Sequence, residues 1–301
     1  MKYLIIFILF TSYSPIKKYD LELNLKEGAT YSQSYLSQVL IKQTIENTEQ
    51  IIKMDIEGGM NFHVKKKLNS SYSIVCVYNK LKMTIQSPMG EITFSSTGDD
   101  EGIMTAILKS MIDKEFTLEL QKNGKISKIE NLDNIFTNAL DAFPELTEPQ
   151  KQQILAQLKK AYGEKAFKGN MEMTFAVFPD KKVGMGDSWE NSIKLESGMS
   201  GVLKNNFTLA ETNDENIIIK GNSTLTTEDK DAYVKVNGYD TRYKLSGTMT
   251  SEYKLDPDTY WIIAGSIKQD ISGEVEIKDM PDKPDGFIIP MTMTSEMTIG
   301  L

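Results

Sequence analysis

His63 is the only histidine and Cys76 the only cysteine in 301 residues, so one imidazole and one thiol are all the chain has for nucleophilic, acid–base or metal chemistry of the usual kinds. A nucleophilic triad would have to be built on His63. That residue shares the polar side of its local alternation with Asn61 and Lys65, opposite Met60, Phe62 and Val64, which reads as a solvated surface histidine. Cys76 lies between Val75 and Val77 and reads as a small buried hydrophobe rather than a reactive thiol. One His and one Cys do not complete a structural zinc site, so no metal is expected. Asp256, Asp258 and Thr259 around Pro257 offer oxygens, but no glycine and no downstream bidentate Glu complete a calcium loop, and the segment reads as a turn. Neither G-x-S-x-G nor a P-loop occurs. The 42 acidic residues leave room for a glycosidase-like carboxylate pair, yet sequence spacing singles none out, and Trp189 and Trp261 are the only indoles for stacking on a sugar. The expectation is a chain with no catalytic residue and no cofactor.

Charge narrows the partners. The net charge is −8 and Arg242 is the only arginine, which makes the chain a poor ligand for nucleic acid. Met1 and Lys2, the apolar run Tyr3 to Phe10 and the small residues up to Ser14 read as a signal peptide over residues 1–14, too short to span a bilayer as a helix. No cysteine lies near the processing region, so attachment through an N-terminal lipidated Cys is not expected. A lone cysteine also rules out an internal disulfide, and the expected setting is a periplasmic, soluble protein held by its core alone.

The elements that must position any site come from periodicity. Tyr243 to Leu255, Trp261 to Ile277 and Phe287 to Leu301 alternate apolar and polar residues, which predicts strands of some 40 to 50 Å with one apolar face each. Leu21, Leu23 and Leu25 predict a strand at the start of the mature chain, Thr30 to Ile56 two or three strands, and Ser70 to Gln86 another long one. The period then changes. Ile103, Met104, Ile107, Leu108, Met111 and Ile112 form a helical stripe after Asp99 and Asp100 as N-caps, and Leu132 to Phe143 carries a second. Thr147 with Gln150, Pro149 in the first turn and Gly163 as stop mark a third helix. Asn123 and Gly124 mark a hairpin between the first two helices, and from Asn170 the pattern reads as strands again, with turns near Asn213, Asp256 and Pro281. The order gives an α+β domain over residues 15–301: a large, strongly curved antiparallel sheet, or half-barrel, whose apolar face is covered by amphipathic helices near 101–163.

Sixteen methionines add a hint of adaptable packing. Tyr243, Leu245, Met249, Trp261, Ile263, Ile267, Met291, Met293 and Met297 fall on the apolar faces of the long strands and are the candidate ligand-binding residues. Leu25, Lys26, Glu27 and Gly28 with Tyr31, and Phe178 and Pro179 leading through Val183 to Gly186, Asp187, Ser188 and Trp189, resemble a family of uncharacterised exported proteins of Bacteroidota. The resemblance implies no known activity, and many such relatives begin with a lipid-attachment cysteine that this chain lacks. The architecture is similar to the half-barrels of lipoprotein-localisation factors. The resulting expectation is a non-enzymatic protein that holds a lipid or another hydrophobic small molecule between sheet and helices. An envelope scaffold with a filled interior is the alternative.

Overall fold

The long period-two runs pair with one another into a single antiparallel sheet. The computed structural model describes residues 17–98, 102–141, 143–197, 199–236, 238–278 and 286–300. In chain order its elements are β1 (Lys18–Tyr19), β2 (Thr30–Ile45), β3 (Thr48–Lys67), β4 (Ser71–Ser87), β5 (Gly90–Ser95), α1 (Ile103–Met111), β6 (Phe116–Gln121), β7 (Ile126–Glu130), α2 (Leu132–Leu140) and α3 (Glu148–Tyr162). There follow α4 (Glu164–Phe175), β8 (Val183–Gly184), β9 (Ser188–Ser197), β10 (Met199–Thr212), β11 (Ile217–Thr227), β12 (Val234–Val236), β13 (Tyr239–Leu255), β14 (Ile262–Lys278) and β15 (Phe287–Gly300). The main sheet runs β7-β6-β4-β3-β2-β15-β14-β13-β11-β10-β9, with β5 on β4 and β12 on β13, while β1 pairs with β8 apart from it. The expected leader, the Asp99 and Asp100 caps and the Pro281 turn lie outside the described residues.

Thr30 to Ile56 resolves into two very long strands rather than three. They meet at Glu46 and Asn47, both with positive φ (49° and 63°), the two-residue turn whose twist matches flanking strands. Register then carries one parity inward across the sheet: Ile41 faces Ile52 and Met293, Val39 faces Met54, and Met54 faces Ile85. The opposite parity is solvated. Lys80 and Lys82 straddle Glu57 and Lys268 meets Glu296, exposed pairs worth at most about 1 kcal/mol each. Two glycines of the long strands mark close strand approach: a Cβ on Gly247 or Gly273 would overlap the neighbouring backbone at Asp270 or Lys244.

Two sequence expectations are corrected. Leu21, Leu23 and Leu25 alternate and are sealed from solvent, but the segment joins no ladder. Its amides go to different walls in turn: Leu23 N–H to Lys122 O (2.8 Å), Asn24 N–H to Thr259 O (2.9 Å) and Leu25 N–H to the Tyr72 hydroxyl (3.2 Å). It therefore crosses and plugs one end of the sheet. The return to strands at Asn170 is also displaced, because Gly163 ends α3 and at once begins α4, which continues to Phe175. Met171, Met173 and Phe175 mimic a period of two, and Gly169 and Asn170 are poor helix formers.

Docking explains why the helix wins. α4 lies along the edge strand β9, where a Cβ on Gly169 would sit 3.1 Å from Lys194 O and 3.3 Å from Leu195 Cα, so only glycine allows that approach without adjustment. The same helix touches the opposite edge strand β7. There the buried carboxylate of Glu172 accepts the Ile126 N–H at 2.8 Å, satisfying an edge amide that has no strand partner. Phe175 then packs against Phe62 and Trp261 with ring centroids 5.7 and 4.9 Å away. Glu172→Ala is expected to lower the unfolding free energy by about 1–3 kcal/mol in urea titration, and Glu172→Gln, which keeps an acceptor, by less.

Candidate functional site

The sheet's inner face divides into a packed end and an unpacked one. At the packed end the plug residues Leu21, Leu23 and Leu25 join Phe62, Trp261 and Phe175 in a continuous core. Tyr253 donates its hydroxyl to Met173 O at 3.1 Å, and the Trp189 indole N–H donates to Val177 O at 3.0 Å, which ties the end of α4 and the chain after it into the concavity. Beside them a fully paired polar ladder runs Ser223 to Asn205 (2.6 Å) and Asn205 to Asn191 (2.7 Å).

The other end has the same inward parity without the same burial. Val39, Ile41, Met54, Ile56, Met83 and Ile85 all point inward, yet each stays partly exposed and none belongs to the packed core. Helices α1, α2 and α3 contact one another in series over this region, from β4 and β5 at one side to β9 at the other. Lys160 on α3 donates to Lys235 O on β12 at 3.0 Å. Among the described side chains of α3 only Leu158 is fully buried, with Ile154 and Leu155 partly so, whereas α1 and α2 bury Ile107, Met111, Phe136 and Leu140 in the core.

The nine candidate ligand residues fall on both sides of this division. Leu245, Met249, Trp261 and Ile267 are closed into the core, at 4%, 2%, 2% and 2% exposure. Tyr243, Met291, Met293 and Met297 share the inward parity and are partly buried against the core, while Ile263, expected on the apolar face, is the unpaired residue of a β-bulge at the packed end, where Ile262 takes the buried position opposite Leu255. Gln269 sits at the boundary, with Nε2 3.3 Å from Met173 Sδ and Oε1 accepting from Ser295 Oγ at 3.1 Å. Sequence reasoning missed the β2, β3 and β4 contribution, although Val39, Ile41, Ile52, Met54 and Ile56 carried a weak alternation that could have signalled it.

Burial acts on two phenols in this region. Tyr35 on β2 points inward, and burial, with Tyr162 nearby, pushes its phenol up to about 12. Burial also raises Tyr162 although 46% of that side chain remains exposed. The residues with chemistry in the sequence do little here. His63 is exposed and bonded to Thr30 Oγ1 (3.1 Å), Cys76 is sealed with its thiol pushed up by burial, and Asp256 caps its own turn by accepting from Thr259 N–H (2.8 Å). Trp189 and Trp261 are both buried and offer no platform to a sugar. No cluster of His, Cys, Asp and Glu suits a metal among the described residues, and no helix among them is long and apolar enough to cross a membrane. A depression of about 750 Å³ over β9, β10, β11 and β13 is lined by outward side chains such as Lys204, Asn206 and Asn222 and also by the buried Asn205, Ser223 and Met249.

Residues 69–262 match a family of unknown function (DUF6263). No curated protein matches the chain. Among solved structures, one described as "Lipid-protein interactions in lipovitellin" is similar with a TM-score of 0.48 at 12% identity, over 92% of this chain and 25% of that one. The chain thus spans about a quarter of that protein's length.

Because Tyr35 ionises in the folded state near pH 12 but near 10 once unfolded, its contribution to stability is complete below about pH 10 and lost as pH rises through about 12. Denaturation midpoints measured across that window should fall less steeply in Tyr35→Phe than in the parent, and absorbance titration at alkaline pH should lose a late-ionising phenol.

Proposed function

The chain belongs to this family of unknown function, and we propose that it is a non-enzymatic carrier that holds a lipid or another hydrophobic small molecule between its curved sheet and helical lid. One observation carries the reading: inward-facing aliphatic and methionine side chains across β2, β3, β4 and β15 remain partly exposed under a layer of helices. Exposed apolar surface of this extent is costly, at about 25 cal/mol per Å², unless something covers it. Methionine suits a lining that must adapt to a flexible chain, since its thioether has low torsional preference and high polarizability. The scarcity of histidine and cysteine and the structural role of the Asp256 turn favour binding over catalysis. An exported setting accords with the acidic, disulfide-free composition.

Purified protein extracted with organic solvent is expected to release a stoichiometric apolar compound detectable by mass spectrometry. The filling variant Met54→Trp should reduce that yield, and with it binding of the dye Nile red, while costing less than the roughly 1–3 kcal/mol that overpacking costs in a filled core. A protein that yields no extract, binds no dye and loses stability on filling has a dry interior and is a scaffold instead.

A further inference from the structure

The inward parity of the unpacked region carries Ser37, Gln43, Gln269 and Ser295 among its aliphatic and methionine side chains, and it also carries a group of phenols. Tyr35 on β2, Tyr78 on β4 and Tyr162 at the end of α3 bring three phenols to the junction of sheet and lid. Gly58 makes the arrangement possible. It is the β3 residue opposite Tyr35, and a Cβ there would overlap the Tyr35 ring at Cζ and the hydroxyl, so that phenol lies across the empty lane towards β4. On the far side of the lane Tyr78 is only 8% exposed and stacks near Phe116 at 5.6 Å. Tyr35 is close enough to raise the ionisation of Tyr78, and Tyr162 close enough to raise that of Tyr35. Tyr162 descends from the lid immediately before Gly163, where α3 turns into α4.

None of the three hydroxyls has a hydrogen-bond partner among the described residues, whereas Tyr31, Tyr72 and Tyr253 are all bonded through theirs. Gln33, the preceding inward residue on β2, faces Met60, which in turn faces Tyr78. Its Nε2 is also buried without an acceptor. The Gln33 Nε2 can only donate, whereas each phenol can donate or accept, so an incoming carbonyl oxygen would find donors here. Of these groups the Gln33 Nε2 is the buried donor without an acceptor, a rare state in folded proteins. Burial is the main influence on these phenols, with Tyr162 acting on Tyr35 and with Tyr35 and Cys76 acting on Tyr78. A carboxylate or phosphate would lose its hydration on entering this space, which is strongly unfavourable unless a cation pairs with it.

We propose that Tyr35, Tyr78 and Tyr162 form a polar subsite, inside the apolar cavity, for the uncharged carbonyl of an ester, ketone or amide carried by a hydrophobic ligand. This rests on the carrier reading and adds the class of ligand: a neutral acceptor-bearing lipid rather than a free fatty acid. The apolar chain lies along the Met and Ile rows of β2, β3 and β15, and the carbonyl oxygen accepts from the phenols at the lid.

Displacement of Nile red from the full chain at pH 7.5 by methyl decanoate, decanoate and dodecane tests it. Methyl decanoate should displace the dye at about tenfold or more lower concentration than decanoate. Tyr35→Phe combined with Tyr78→Phe should weaken the ester by about five- to thirtyfold, one or two lost hydrogen bonds, and leave dodecane unchanged. These changes each remove a single oxygen, and thermal unfolding would verify the fold. Gly58→Ala, which pushes the Tyr35 ring aside, should act in the same direction without removing a hydroxyl. Decanoate binding as tightly as the ester, or an ester affinity indifferent to the Phe substitutions, would overturn the subsite while leaving the carrier reading intact. Failure of the dye and of all three competitors to bind would overturn both.

Discussion

The two edges of the great sheet are joined through α4, and most of the rest follows from that helix. A sheet of this width curls because each strand is rotated relative to its neighbour, and its terminal strands β7 and β9 approach without meeting. Unpaired edge amides are a liability, since they template pairing with other chains. Here the gap is occupied by a helix that presents Gly169 to one edge and the Glu172 carboxylate to the other. The sheet thereby stays open by the width of a helix, and its interior is larger than side chains from the strands alone can fill.

The same helix determines where the interior is filled. Its C-terminal turn delivers Met173 and Phe175, and the residues after it, to one end of the concavity, where they meet the Leu21 to Leu25 plug, Phe62 and Trp261. Offset and edge-to-face aromatic contacts of this sort add about 0.5–1.5 kcal/mol each to area burial. At the other end α1, α2 and α3 bridge β4 and β5 to β9, with α1 and α2 burying Ile107, Met111, Phe136 and Leu140 in the core. The inward residues of β2 and β3 at that end stay partly exposed.

The polar groups divide less cleanly. At the packed end the Glu172 carboxylate, Asn205, Ser223 and the Tyr253 hydroxyl find partners, while Trp261 Nε1 and Ser251 Oγ are buried without one. At the other end the hydroxyls of Tyr35, Tyr78 and Tyr162 find none among the described residues, and burial nonetheless raises their ionisation.

Much of this was legible in the residues because side-chain period is a local property. The alternation of β13, β14 and β15, the Asn123–Gly124 hairpin, the Thr147 and Gln150 pair at the start of α3, where Gln150 accepts the Thr147 N–H at 2.9 Å, and the buried, inert character of Cys76 each depend on a few neighbouring positions. The antiparallel, one-faced sheet under helices followed from them. What only the tertiary structure decided was how those faces meet. Met171, Met173 and Phe175 read as a strand, and became a helix because the edges of β7 and β9 offered it partners that no local propensity contains. Leu21 to Leu25 had strand periodicity, and became a plug because three different walls supplied its hydrogen bonds. Trp261 and Met249 shared their parity with Met291 and Met293, yet one pair is sealed and the other half open, because inward direction is set by periodicity while depth of burial is set by how far the opposing helices reach.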